Sequence, residues 1–243
     1  MSNQVSDLAY TIRVSRRAKY ARLKLSPHEG LIVVVPENFD RRKIPGLVES
    51  RREWIAKVQG SFERHRLDGV AGAGVSLPAR IELPGIGESW RISYRSESRE
   101  WLSVKEDSEG ELSLSGALHD EASCRKAIES WLKWRAELKL VPMLGRIASI
   151  EGFAFSAVSV RKQRSRWGSC SSKGRISLNL KLLFLPPVLV RYIMIHELCH
   201  TRHMNHSRRY WAEVARFDPD YAAHDREMTH AWRYVPGWLV LDG

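Results

Sequence analysis

Residues 196–206 read HELCHTRHMNH: His196, Glu197 and His200 in the HExxH spacing, with His206 ten positions after the first histidine. Four residues advance an α-helix by just over one turn, so the imidazoles of His196 and His200 project from one face and can grip one cation. Glu197 stands beside the first of them and can reach water at that cation as its base. A zinc ion held by protein takes at least a third ligand, which His206 supplies if the chain turns back after His200. Glu213, Asp218 and Glu227, from the segments that follow, are the alternative third ligands. Where the metzincin peptidases carry a glycine before their third histidine, this chain has His203, which argues against a true metzincin.

The motif is embedded in apolar sequence that predicts a helix from about Pro187 to His203, with Pro187 suited to the first position. Ser207 is a good cap for a following helix, and a third is expected over about 218–234. Upstream, 155–160 and 175–178 alternate as strands. Between them runs RKQRSRWGSCSSKGR, residues 161–175, in which six of fifteen residues are basic and none is acidic. Its arginines can take a carboxylate or phosphate with paired hydrogen bonds, and its glycines and serines let the backbone come close to a ligand. Arg161, Arg164, Arg166, Lys173 and Arg175 are therefore candidate anion- or substrate-binding residues. Tyr210, Tyr192 and Arg166 are candidate electrophilic helpers. Cys170 is near enough in sequence to approach the site, where a fourth thiolate ligand would make the metal structural. Cys199 falls on another side of the helix from both histidines. Trp211, Trp232 and Trp238 read as core or domain-contact residues.

Further out, 10–14, 21–25 and 31–35 read as strands, and 41 to about 65 as a helix with Ile44, Leu47, Trp54, Ile55, Val58 and Phe62 on its apolar stripe. A glycine-containing loop follows at 67–76. Strands are expected over 79–83, 90–94, 101–105 and 112–114, then a long helix over 120–150 that Pro142 bends or divides. The fold class is α+β: a β-rich N-terminal domain with one helix over 1–118 and a zincin-like domain of small sheet plus helices over 119–243. No internal repeat is evident.

The chain has 243 residues, 43% apolar and 28% charged, a balance that fills a core and clothes it. The net charge of +11 biases partners toward anions, including weak nonspecific nucleic-acid contact. No segment suits a secretory signal or a membrane span, so a cytoplasmic address is expected. Three widely spaced cysteines offer no disulfide scaffold.

The stretch from Arg164 to Trp211 resembles the YgjP-like family of zinc metallopeptidases. The likeness rests on RWGSC at 166–170, Asn179, the Pro186-Pro187 pair, the HExxH run and Asn205-His206-Ser207. It implies His196, His200 and His206 as zinc ligands, Glu197 as the catalytic residue, and a small peptidase core behind a β-rich N-terminal part. Some relatives are described as nucleoside triphosphate pyrophosphatases acting on UTP. The expected function is thus a zinc-dependent hydrolase, first a metallopeptidase and alternatively a UTP pyrophosphatase, acting on a peptide or nucleotide of anionic character. The competing class is a zinc-stabilised nucleic-acid-binding module. Only Trp167 could stack on a base within the basic segment, which gives little basis for reading sequence.

Overall fold

A computed structural model describes residues 2–5, 8–15, 18, 20–26, 30–53, 55–56, 77–107 and 109–240. The architecture is α+β, and the chain divides into two compact units, 1–72 and 73–242.

In the first unit, β1 (Ser2–Val5), β2 (Leu8–Val14), β3 (Arg22–Ser26) and β4 (Gly30–Val35) form a sheet in the order β1-β2-β4-β3. The run LIVVV lacks alternation because β4 is an interior strand, buried on both faces. Leu31, Val33 and Val35 share a core with Tyr10, Ile44, Val48 and Ile55. The Asp40 side chain caps a 3₁₀ turn, Arg41–Lys43, which leads into α1 (Ile44–Glu49) with Pro45 in its first turn. Trp54, Val58, Phe62 and the loop at 67–76 lie outside the described residues.

The second unit opens with β5 (Arg80–Leu83), β6 (Glu88–Ser96), β7 (Ser103–Glu106) and β8 (Glu111–Gly116), ordered β5-β6-β8-β7. Its connectivity repeats that of the first sheet. In both, strands one and two are antiparallel, two and four parallel, and three and four antiparallel, and a helix follows. The repeat is one of topology, which the sequence does not betray. The apolar face of this sheet, with Ile81, Leu83, Trp90, Ile92 and Leu112, packs into one core with Ile128, Trp131 and Leu132 of α2 (Glu121–Glu151). The division of the chain accordingly falls at 72/73 rather than near 118. Strand periodicity reports an element but not the core it joins.

Pro142 neither ends nor divides α2. It lies on the exposed side, where the carbonyl left without an N–H donor can be met by water. A third sheet, β10-β11-β9, comprises β9 (Ala157–Arg161), β10 (Gly168–Cys170) and β11 (Arg175–Asn179). Strand β11 runs parallel to β9 and antiparallel to β10. A 3₁₀ turn, Leu180–Phe184, then leads to α3 (Pro187–Cys199), α4 (Arg208–Phe217), α5 (Tyr221–Met228), a second turn at Ala231–Tyr234 and α6 (Gly237–Val240). The expected helices at 187–203 and 218–234 are both shorter. The first stops as the chain folds back at His200, and Thr201 donates its hydroxyl proton to the Leu198 carbonyl. In place of the second, Asp218 ends α4 with a non-helical backbone, and α5 begins at Tyr221 and ends at Met228.

Candidate metal centre

Nine of the thirteen residues of α3 are buried, and its last two turns carry His196 and Glu197. His200 caps its C-terminus. Seven residues on, Ser207 starts α4 by accepting a hydrogen bond from the Tyr210 amide, and this reversal returns His206 to the end of α3. The Nε2 atoms of His200 and His206 are 3.1 Å apart, and those of His206 and His196 3.3 Å. Four-coordinate zinc with bonds of about 2.0–2.1 Å places neighbouring ligand atoms about 3.3 Å apart, so the spacing fits. Neutral imidazoles at this separation cannot all satisfy one another, whereas a shared cation takes every lone pair.

The surrounding groups prepare the rings for that task. His200 Nδ1 donates to the His203 carbonyl at 3.0 Å, which fixes the tautomer with the Nε2 lone pair toward the other histidines. Burial, with the neighbouring histidines, pushes the His196 pKa down to about 3. Burial lowers that of His200 as well, which keeps both rings in the neutral form able to bind a cation. His206, the exposed member, stacks on Trp211 at 5.4 Å, and Trp211 stacks in turn on Tyr221. Trp211 packs against the core as expected and in addition supports the His206 ring.

Glu197 is 4% exposed, and its Oε2 has no hydrogen-bond partner among the described residues. Burial raises its pKa to about 8, against the opposing pull of the Arg166 cation. Its cover is β10: a Cβ on Gly168 would lie 2.5 Å from Glu197 Oε1 and 2.7 Å from its Cγ. Only glycine lets the strand come this close. Buried Asn179 sets the approach, donating through Nδ2 to the carbonyls of Gln163 at 3.0 Å and Arg166 at 2.7 Å. The close backbone approach expected of this segment's glycines toward a ligand is at Gly168 an approach to the Glu197 carboxylate, and spacing alone gives Asn179 no task. The glycine in a basic loop and the asparagine ending a strand were the available signals.

The basic segment does not form one patch. Arg161 pairs with Asn179 at one end of the sheet, while Arg175 pairs with Ala157 at the other, with Lys173 in the adjoining turn. At about 3.3 Å per residue the two ends are roughly 13 Å apart. All five residues are exposed, and Arg166 is the one whose charge acts on Glu197. The tyrosines expected as helpers are placed otherwise. Tyr210 is fully buried, stacks on His200 at 4.5 Å and donates its hydroxyl proton to the His196 carbonyl, which makes it a platform under the histidines. Tyr192 is buried and donates to Asp225.

The alternative third ligands are engaged elsewhere. Glu213 pairs with Arg202 and His203, Asp218 with His224, and Glu227 with Arg233. Among the described residues the group that could hold a metal consists of the three histidines, without Cys170, whose Sγ faces the Ser171 carbonyl. Cys199 is buried, as its helical position suggested.

The YgjP-like metallopeptidase domain matches residues 19–231, most of the chain and all of this site. The chain belongs to the YgjP-like family. No curated protein and no solved structure matches it significantly. Membership together with the histidine cluster supports metal-dependent hydrolase chemistry of a peptidase-like kind. No helix among the described residues is long and apolar enough to cross a membrane.

Proposed function

We propose that this YgjP-like protein is a zinc-dependent peptidase, with His196, His200 and His206 holding the ion and Glu197 acting as base. The observation that carries the reading is the grouping of three histidine ring nitrogens able to hold one metal ion, on and after the helix that also carries Glu197, whose Oε2 is buried without a hydrogen-bond partner among the described residues. The chemistry such an ion supplies is Lewis acidity, which acidifies water and polarises a scissile carbonyl. In the ionised form that a cation held nearby would favour over the neutral one set by burial, Glu197 Oε2 accepts the proton of the attacking water as its oxygen adds to the carbonyl carbon. The same carboxyl then delivers that proton to the departing amine nitrogen as the C–N bond breaks. Gly168 and the walls of α3 keep the carboxylate in place and out of bulk water. Arg166 steadies the negative charge that grows on the carbonyl oxygen, the helper role left to it once Tyr192 and Tyr210 are committed to Asp225 and the His196 carbonyl. Arg161 and Arg164, from the same end of the sheet, favour substrates with acidic groups.

Zinc-loaded protein incubated in parallel with a peptide library and a panel of nucleoside triphosphates tests the assignment. Peptide cleavage is expected, and Glu197→Gln should abolish it while retaining about one metal per chain. Hydrolysis of triphosphates without peptide cleavage overturns the substrate, and undiminished turnover by Glu197→Gln overturns the base.

A further inference from the structure

The reversal that returns His206 to the end of α3 is the stretch Thr201 to Asn205, which contains no glycine. It leaves the helix through the amides of Thr201, Arg202 and His203, which donate to the carbonyls of Leu198 and Cys199. Two of its side chains then meet one carboxylate. Arg202 Nη1 donates to Glu213 Oε1, and His203 Nε2 donates to Glu213 Oε2 at 2.7 Å. The two oxygens are thus divided between neighbouring residues of the reversal. Glu213 comes from α4 and its side chain is 13% exposed, so these bonds are better sheltered than those of a surface ion pair.

Each link leads further. Arg202 Nη2 donates to the carbonyl of Gly152 at the end of α2, and its guanidinium lies 4.2 Å from the ring centroid of Phe153, which pins the reversal between α2 and α4. His203 is held at its amide by the Cys199 carbonyl and at its ring by Glu213, and its own carbonyl accepts from His200 Nδ1 at 3.0 Å. A residue fastened at both amide and side chain has little freedom to swing its carbonyl. That carbonyl in turn sets the rotation of the His200 ring and the direction of its Nε2 lone pair. Tyr210, the platform under His200, stands three residues before Glu213 and so on the same face of α4.

We propose that Glu213 is a positioning residue of the metal centre: through His203 it holds the carbonyl that orients His200, and through Arg202 it holds the reversal that delivers His206. Glu213 is no ligand itself. It acts through His203, which stands where the metzincin peptidases carry glycine. The proposal rests on the three histidines as metal ligands and is independent of the substrate and of Glu197.

The test uses the full chain. Zinc affinity is measured by competition with a chromophoric chelator, and the absorption bands of cobalt(II) bound in place of zinc report the geometry of the ligands. In Glu213→Gln one acceptor oxygen becomes an amide NH2, so one of the two bonds is lost. His203→Ala removes the link and leaves the backbone carbonyl. Each variant is expected to weaken zinc binding by about 10- to 100-fold and to shift the cobalt bands, as loss of a group that orients a ligand does. In the double variant the loss is expected to fall well short of the product of the two, because both cut one chain of contacts. Zinc affinity unchanged in either single variant overturns the proposal, and so do losses that multiply in full, which place the two residues on separate routes. Weaker binding with unmoved cobalt bands makes the carboxylate a general prop of the fold and overturns it as well. If Glu213→Gln fails to fold, His203→Ala, at a partly exposed side chain, decides the matter alone. A wild-type protein that binds neither metal overturns the metal reading itself, whereas the other failures leave that reading standing.

Discussion

At Gly168 a hydrogen atom stands where a methyl group would strike the carboxylate of Glu197, so the reach of β10 toward α3 is set by one missing carbon. Substituting Gly168→Ala must displace either the strand or the carboxylate, and the strand is held from behind by Asn179 donating to the Gln163 and Arg166 carbonyls. The carboxylate is the softer partner. Misplacing a proton-transfer group by about 1 Å costs on the order of 100-fold in rate. The expected result for Gly168→Ala is therefore a kcat lower by about that factor, with metal content unchanged because the histidines are untouched. A variant that loses its metal, or one that keeps full kcat, would show that the close approach does not set the position of Glu197.

Among the elements, α2 carries a feature that local rules disfavour, a proline 21 residues into a 31-residue helix. Pro142 is exposed, so its missing N–H leaves a carbonyl on the wet side, but the ring still crowds the preceding turn. Pro142→Ala restores a backbone bond and a good helix former. It should stabilise the protein by about 1–3 kcal/mol, read as a higher urea midpoint at unchanged m-value. A lower midpoint would mean that the proline fixes a curvature on which the core depends. The same helix shows what sequence alone conveys: its length and capping aspartate were legible, because periodicity persists over many turns and Asp120 accepts from the Ala122 and Ser123 amides. The motif helix α3 was legible for a different reason, since two histidines and a glutamate admit few arrangements around a metal. Strand β10 was not. Its three residues, Gly168, Ser169 and Cys170, have no alternation and little strand propensity, and their conformation comes from pairing with Leu178, Ser177 and Ile176. Nor could spacing separate Tyr210 as a platform from Tyr210 as a helper, because the direction of a hydroxyl is decided by tertiary neighbours.

On the scale of the molecule, the core of the second unit is fastened along one side by charge. Glu88 on β6 meets Arg135 of α2 through two bonds, Nε to Oε2 at 2.7 Å and Nη2 to Oε1 at 2.8 Å. The Trp90 indole N–H at 3.0 Å and Lys139 Nζ at 3.0 Å complete its partners, while Arg135 also reaches Glu106 at 3.1 Å and lies over the Trp90 ring. Burial alone would raise the Glu88 pKa, but these donors outweigh it and hold the carboxyl at about 2, against an ordinary value of 4.5. A depressed carboxylate stabilises the fold fully above its unfolded pKa, and the contribution disappears as pH falls through the folded value. The window lies between about 4.5 and 2, and a difference of this size corresponds to roughly 3 kcal/mol. Urea midpoints measured across that window should fall steadily for the wild-type protein. Glu88→Gln should be less stable at neutral pH, change less with acid, and approach the wild-type value at the bottom of the window. Two curves that remain parallel throughout would mean that the acid dependence arises at other carboxylates, and that packing alone holds the sheet of β5–β8 to α2.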